Sequence, residues 1–446
     1  MSLPDFPELQ SWAERALEAA KRAGATQAEV GVSTSRALTV NVRMREVESV
    51  EFQRDRDLSL TVYFGHRMGA ASTADLSDVG LADTVAAACA IARAAGEDPC
   101  LGLADANRMA QAGPGGFPDL DLYHPWAMTP ESATELALAA EAAAFAADPR
   151  VRQSEGASAD TREGVSVMAN SHGFIGCRRS TDHSLSCAVI ARDGEEMQNG
   201  HEYTSARAQA DLWSPERIGA EAGRRAAARL GAKALSTRTA PILFTPQMAR
   251  GLISHALGAI SGSALYRKSS FLLDKLDQPV FAPHMQLLQR PFIPRAAGSA
   301  CYDGEGVAAS ERTLVEDGVL RGWLLGSYAA RKLGLESTGN SGGAYNVLVP
   351  PGAQDFDALV REMGAGLLVT SLMGQGVNTV TGDYSRGAEG FWVENGEIVH
   401  AVDEVTIAGN LLDIYRGIAA VGNDVDHRGS IRIGSLLLAP MTIAGS

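Results

Sequence analysis

Twice in this chain a helical pattern gives way to strand-like alternation and then to a second helical pattern, an order that points to layered α+β units. In the first pass Leu9, Trp12, Ala16 and Ala20 recur at helical spacing, and Gly24 can end that helix. Leu38, Val40 and Val42, then Leu58, Leu60 and Val62, alternate within "RALTVNVRMREVESVEFQRDRDLSLTVYFGHRMGAAST", which predicts about three strands. An alanine-rich helix is expected over residues 77–95. In the second pass Thr129 and Pro130 open a helix as N-cap and first residue. Alternation returns in "GVSVMANSHGFIGCRRSTDHSLSCAVIARDGEEMQN", with turns expected at His172-Gly173 and Asp193-Gly194. Ser214-Pro215 opens the closing helix. Residues 1–112 and 119–235 therefore read as two helix–strands–helix units of an N-terminal half, with "AGPGGFPDLDLYHP" as linker. The repeated order hints at a duplication, although the two units share too little sequence to establish one.

From residue 236 the composition changes. Glycine becomes frequent, and "RTLVEDGVLRGWL" and "FWVENGEIVHAV" each set a two-residue turn, Asp317-Gly318 and Asn395-Gly396, between apolar strands. Residues 236–446 are expected to form a strand-rich domain with one internal helix, which begins after Thr245-Pro246 and carries His255.

Several function classes fall away on composition. The net charge is −14 and adjacent basic residues occur as pairs, such as Arg178-Arg179 and Arg267-Lys268, but never as a longer run. General nucleic-acid binding is a poor fit, although one local basic patch is compatible with this pattern. No apolar stretch is long enough to span a bilayer, and the N-terminus has no secretory pattern. Five cysteines without a CxxC argue against a disulfide framework and a thiolate zinc cluster. A reducing cytoplasm is the expected compartment.

Chemistry centres on "GLISHALGAISGSALYRKSS". On a helical wheel His255 shares its face with Gly251, Gly258 and Gly262, small residues that let another backbone approach. That face suits either the floor of a cleft or close packing around a hydrogen-bonded histidine. A zinc-hydrolase helix needs two histidines a turn apart and a glutamate. Here Ala256 follows His255, and Ala259 and Ile260 lie one turn on. "HEY" at 201–203 has no following histidine, and His284, His400 and His427 lack supporting spacing. No nucleophile elbow is present, and Cys301 reads as a small buried residue beside a turn. "GQGVNTVTGDYSRGAEGFWVENGEIV" is punctuated by glycine and carries Asp383, Tyr384 and Arg386. It suits a loop approaching a ligand, or a turn network in which Asp383 pairs with Arg386. Glu389 and Glu394 read as solvated or strand-edge charges.

"TVTGDYSRGAEGFWVENGEI", "RTLVEDGVLRGWLLGSYAARKLGLESTGN" and the closing "LLLAPMTIAG" resemble the PmbA (TldE) branch of the TldD/PmbA family, and the resemblance runs over nearly the whole chain. It implies a two-domain α+β fold and one subunit of a heterodimeric cytoplasmic metallopeptidase. An older label in the family is modulator of DNA gyrase. The TldD-type partner carries a His-Glu-x-x-x-His helix and a later cysteine as metal ligands. Here His255 falls at the first of those histidines, Ala256 and Ile260 replace the glutamate and the second histidine, and no cysteine follows Cys301. The resemblance therefore implies no metal or cofactor in this chain, zinc on the TldD-like subunit, and peptide substrates that add as strands to an exposed edge. Peptide maturation, such as removal of a microcin leader, and antitoxin degradation are the implied activities. His255, Gly258, Gly262, Asp383, Tyr384 and Arg386 are the substrate-chamber candidates, and none has a catalytic role. The alternatives are a homodimer of this chain that binds peptides or proteins without cutting them, and an independent hydrolase.

Overall fold

The computed structural model describes residues 3–113 and 116–445; Pro114 and Gly115, inside the expected linker, lie outside the described residues. The N-terminal half forms one antiparallel sheet of β1 (Gln27–Arg43), β2 (Glu46–Phe64), β3 (Arg67–Thr73), β4 (Val151–Asn170), β5 (Ile175–Asp193) and β6 (Glu196–Ala206). Its order is β3-β2-β1-β4-β5-β6. Residues 29–42 of β1 pair with residues 157–170 of β4, so the two helix–strands–helix units share a continuous sheet. β4 begins 13 residues before the alternating segment read from the sequence, because its early inward positions are filled by Ala157 and Ala159 rather than large aliphatics.

Four helices cover one face. α1 (Phe6–Arg22) and α2 (Asp78–Ala94) bury Leu9, Ala13, Leu81 and Val85 against Val30, Val32, Leu60 and Val62. α3 (Pro130–Ala147) and α4 (Pro215–Ala228) bury Ala137, Ala140, Ile218 and Ala222 against Val42 and Val189. Each begins at a side-chain cap: Asp5, Ser77, Thr129 and Ser214 accept from the backbone N–H three residues on. α3 and α4 cross so closely that a β-carbon on Gly219 would sit 1.8 Å from the Ala140 carbonyl oxygen, which explains their small-residue composition. The β1–β2 turn uses Met44 and Arg45, both at positive φ. Neither favours that conformation, and the fully buried Glu141 carboxylate holds it by accepting both N–H groups at 2.8 and 2.6 Å.

In the C-terminal domain β7 (Arg238–Phe244) lies between the strands Gly366–Met373 and Leu436–Ala444. The sheet continues through Asp383–Glu394 to Glu397–Asn410, whose Thr406 pairs back with Ala444 and closes the sheet into a ring. Alternate residues face inward, as Ile242, Phe244, Leu367, Val369 and Tyr384 do. α5 (Pro246–Ala259) packs Leu252, Ile253 and Ala256 into the same core. Shorter helices, α6 (Gly262–Tyr266), Ser327–Leu333, Phe356–Met363 and Leu411–Arg416, join the one internal helix read from the sequence. At five to eight residues they offer too few turns for periodicity to reveal.

The expected linker is bound along its described part. The Phe117 ring packs against Phe174 and Tyr302, the Leu120 carbonyl accepts from Arg295 N–H of the C-terminal domain, and the Leu122 carbonyl accepts from Thr181 N–H of β5. It ties the two halves together. Among the described residues no helix is long and apolar enough to cross a membrane.

Candidate functional site

α5 ends at Ala259, and the chain turns through Ile260 and Ser261 before α6. This break separates the residues that the helical wheel placed together. His255 is half-buried and Gly258 exposed, with open space where a Gly258 β-carbon would stand. Gly262 leaves that face and packs inside the domain, its β-carbon position 2.4 Å from the Ala329 methyl. It is not part of a cleft floor.

The His255 ring meets the Tyr384 ring edge-on at 6.2 Å between centroids. Among the described residues that ring contact takes the place of the hydrogen bond expected of a structural histidine. Tyr384 and Arg386 lie on one side of the Asp383–Glu394 strand, two residues apart, and Asp383 lies on the other. The segment from Asp383 onward is thus paired strand rather than loop; Tyr384 opposes Gly409 and Arg386 opposes Ile407. Asp383 and Arg386 do not pair. Thr381 Oγ1 donates to Asp383 Oδ2 at 2.6 Å, and Arg386 Nε donates to the Met373 carbonyl at 3.0 Å. Burial lowers the His255 pKa from its usual value and the nearby Arg386 charge lowers it further, both favouring the neutral ring. Burial pushes the Tyr384 phenol up to about 12. The sequence candidates thus divide: His255, Gly258, Tyr384 and Arg386 come together, and Gly262 and Asp383 do not.

Glu389 is neither solvated nor a free edge charge. It forms an ion pair with Arg229 across the two halves, both side chains being about 15% exposed. Ala256 and Ile260 are 2% exposed and belong to the core. Among the described residues no three His, Cys, Asp or Glu side chains converge as a metal cluster. His284, His400 and His427 therefore form no such group with His255.

A cavity of about 1190 Å³ separates α4 and β6 from the start of α5 and from residues 424–432. Its wall is a charge network that the sequence reading did not find. Glu202, 2% exposed, accepts from Arg225 at 2.8 Å and from Arg428 at 2.6 Å. Arg428 forks onto both oxygens of Asp426 at 3.0 Å, and Arg250 reaches Asp426 at 2.9 Å. The Arg428 guanidinium also lies over Tyr203 and Trp213. Burial works against the Asp426 charge, yet the Arg428 bonds and the Arg250 charge hold its carboxyl below the usual range. The one sequence signal was "HEY", whose Glu202 is the carboxylate shared by Arg225 and Arg428.

Three further arginine contacts finish the open edge of β6. Arg229, Arg225 and Arg428 donate to the carbonyls of Asn199, His201 and Tyr203, at 3.1, 3.1 and 2.5 Å. These are alternate residues, so they are the outward carbonyls of an edge strand. An extended peptide cannot add at this edge while those bonds are made.

Residues 237–445 match the PmbA/TldA metallopeptidase C-terminal domain, residues 123–230 its central domain and residues 28–92 its domain 1. The metalloprotease PmbA of Escherichia coli O157:H7 is 48% identical over 94% of this chain and 92% of that protein. The chain belongs to the PmbA/TldD family. A PmbA homolog of Haemophilus influenzae is 46% identical over 98% of this chain and 96% of its own length. Among solved structures of PmbA/TldD-like chains, a Bacteroides thetaiotaomicron protein described as a modulator of DNA gyrase superposes with TM-score 0.93 at 30% identity, covering 98% and 99% of the two chains. TldE from Thermococcus kodakarensis shares the fold, with TM-score 0.86 at 20% identity over 97% and 100%.

Proposed function

We propose that this chain is the non-metal subunit of a TldD/TldE-type peptidase. In this reading a TldD-like partner carries the zinc, and the two chains enclose peptides or unfolded polypeptides in the cytoplasm. The observation that carries it is the surroundings of His255. The side chains that follow it on α5, Ala256 and Ile260, are core residues, and its polar neighbour is a guanidinium. A cation beside an imidazole opposes a second cation there, and among the described residues no carboxylate acts on the ring to offset the charge. These residues do not fit a zinc ion, so no step is derived through one on this chain. His255, Gly258, Tyr384 and Arg386 would instead shape the wall of the chamber. Peptide maturation, including leader removal, and antitoxin degradation are the activities to test.

Metal content and peptidase activity of the purified chain decide the matter, alone and mixed with a TldD-type protein. The expected result is no stoichiometric zinc and no cleavage alone, with cleavage in the mixture. Zinc and cleavage by the chain alone would overturn it; peptide binding without cleavage in either sample would replace it with a homodimeric binding module. In the active mixture His255→Ala is expected to retain activity within about threefold, less than one tenfold step in barrier terms. A loss equal to that from mutating a metal ligand of the partner would refute this.

A further inference from the structure

Arginines outnumber carboxylates eight to five around the 1190 Å³ cavity, in a chain whose net charge is −14. The carboxylates there are occupied. Glu202 and Asp426 are held by arginines as described, Asp211 by Arg295, Glu221 by Arg224 and Arg225, and Asp424 by the Ser435 N–H and hydroxyl. Among the described residues of the lining, exposed Arg217 stacks on Trp213 without a carboxylate partner. Arg207 has a buried, unpartnered Nε but donates to the Thr181 and Ala297 carbonyls and lies 3.9 Å from Asp182. Arg432 has neither kind of compensation. Its Nε is buried without a hydrogen-bond partner among the described residues, and burial weakens its charge with no carboxylate acting in the other direction. It stands on the short strand Ile431–Arg432, fixed by parallel pairing with Val347–Leu348, so its backbone is set before any ligand arrives. A desolvated guanidinium without a counter-charge is costly, and its planar fork matches a two-oxygen anion.

We propose that the cavity is an oxyanion site centred on Arg432 and that its ligand is the free carboxylate of a peptide. The oxyanion chemistry follows from the cavity alone; the peptide as its source rests on the reading of this chain as a peptidase subunit. The carboxylate supplies the missing charge, the fork of Arg432 takes its two oxygens, and the room beside it accommodates several residues of chain. The ring contact of His255 and Tyr384 plays no part in this site.

The test is calorimetric titration of the purified chain at low ionic strength with a short N-acetylated peptide acid, the same peptide as its C-terminal amide, and inorganic phosphate. The acid is expected to bind at one per chain and the amide at least about tenfold more weakly, the loss of one charge-assisted contact. Arg432→Gln is expected to weaken acid binding by about tenfold or more while leaving the ligand-free melting temperature unchanged or raised, because it removes an uncompensated charge. Arg432→Lys, which keeps charge and loses the fork, is expected to fall between. Equal binding of acid and amide, or undiminished binding by Arg432→Gln, would overturn the proposal. A lowered ligand-free melting temperature in Arg432→Gln together with unchanged binding by Arg432→Lys would assign Arg432 a structural role and also overturn it. A response to phosphate alone would overturn the peptide as source. Binding is read on this chain without a partner, so its failure leaves the two-chain cleavage result standing, and the reverse holds.

Discussion

Glu202→Ala is expected to destabilise the chain by about 3–5 kcal/mol, the range for removing one partner from a buried ion pair. The carboxylate joins Arg225 of α4 to Arg428 of the C-terminal domain, and alanine would leave both guanidinium groups without it. Urea unfolding followed by tryptophan fluorescence measures this, since the Trp213 ring lies against Arg428. A loss under about 1 kcal/mol, typical of an exposed pair, would mean that water reaches the network and that the two halves are not held here.

The second large effect is a dependence on pH. On the face of the N-terminal sheet opposite its helices, a cavity of about 540 Å³ is lined by Glu29 of β1, Arg178 of β5 and Asp303 from the C-terminal domain. Burial, then the charges of Glu305 and Asp303, raise the Glu29 pKa from 4.5 to about 7. Burial likewise raises Asp303 to about 6, although three backbone N–H groups donate to it. An acid whose pKa is raised by folding stabilises the fold fully below its unfolded value and loses that contribution as pH rises through the folded one. The chain is therefore expected to lose on the order of 3 kcal/mol from each group, less in sum because the two are coupled, between about pH 4 and 7. Glu29→Gln should flatten that slope and raise the melting temperature at pH 8. An unchanged slope in the variant would remove Glu29 as its source.

Much of the fold was legible because its signals are local. Thr129 and Ser214 cap helices where the sequence places them, and Asp317-Gly318 and Asn395-Gly396 turn hairpins as expected. The turn after β5 differs by one residue: Asp193 pairs with Glu196, so Gly194 and Glu195 form the loop. What escaped depends on distant partners. Nothing local distinguishes a buried Glu141 or Glu202 from a solvated one, because the N–H groups and arginines that satisfy them come from other elements. The glycines at 387 and 390 resemble loop residues, yet Gly390 stands in a strand where a β-carbon would lie 1.8 Å from the Leu368 carbonyl oxygen. The His255 face was misjudged where the helix stops, since the wheel ran through Ile260 to Gly262.

The arginine contacts on β6 have a consequence for how this protein behaves among other chains. A sheet ordinarily ends in a row of hydrogen-bonding groups that any extended segment can copy. On β6 three carbonyls along that row already have donors whose own counter-charges, Glu202, Glu389 and Asp426, lie behind them. To recruit a foreign strand there, a newcomer must displace donors bonded at both ends and strand their carboxylates out of water. The same groups that fasten the two halves, two of them carried by α4 and its C-cap, thus give that margin of the sheet resistance to fibril growth and strand exchange without proline or a bulge.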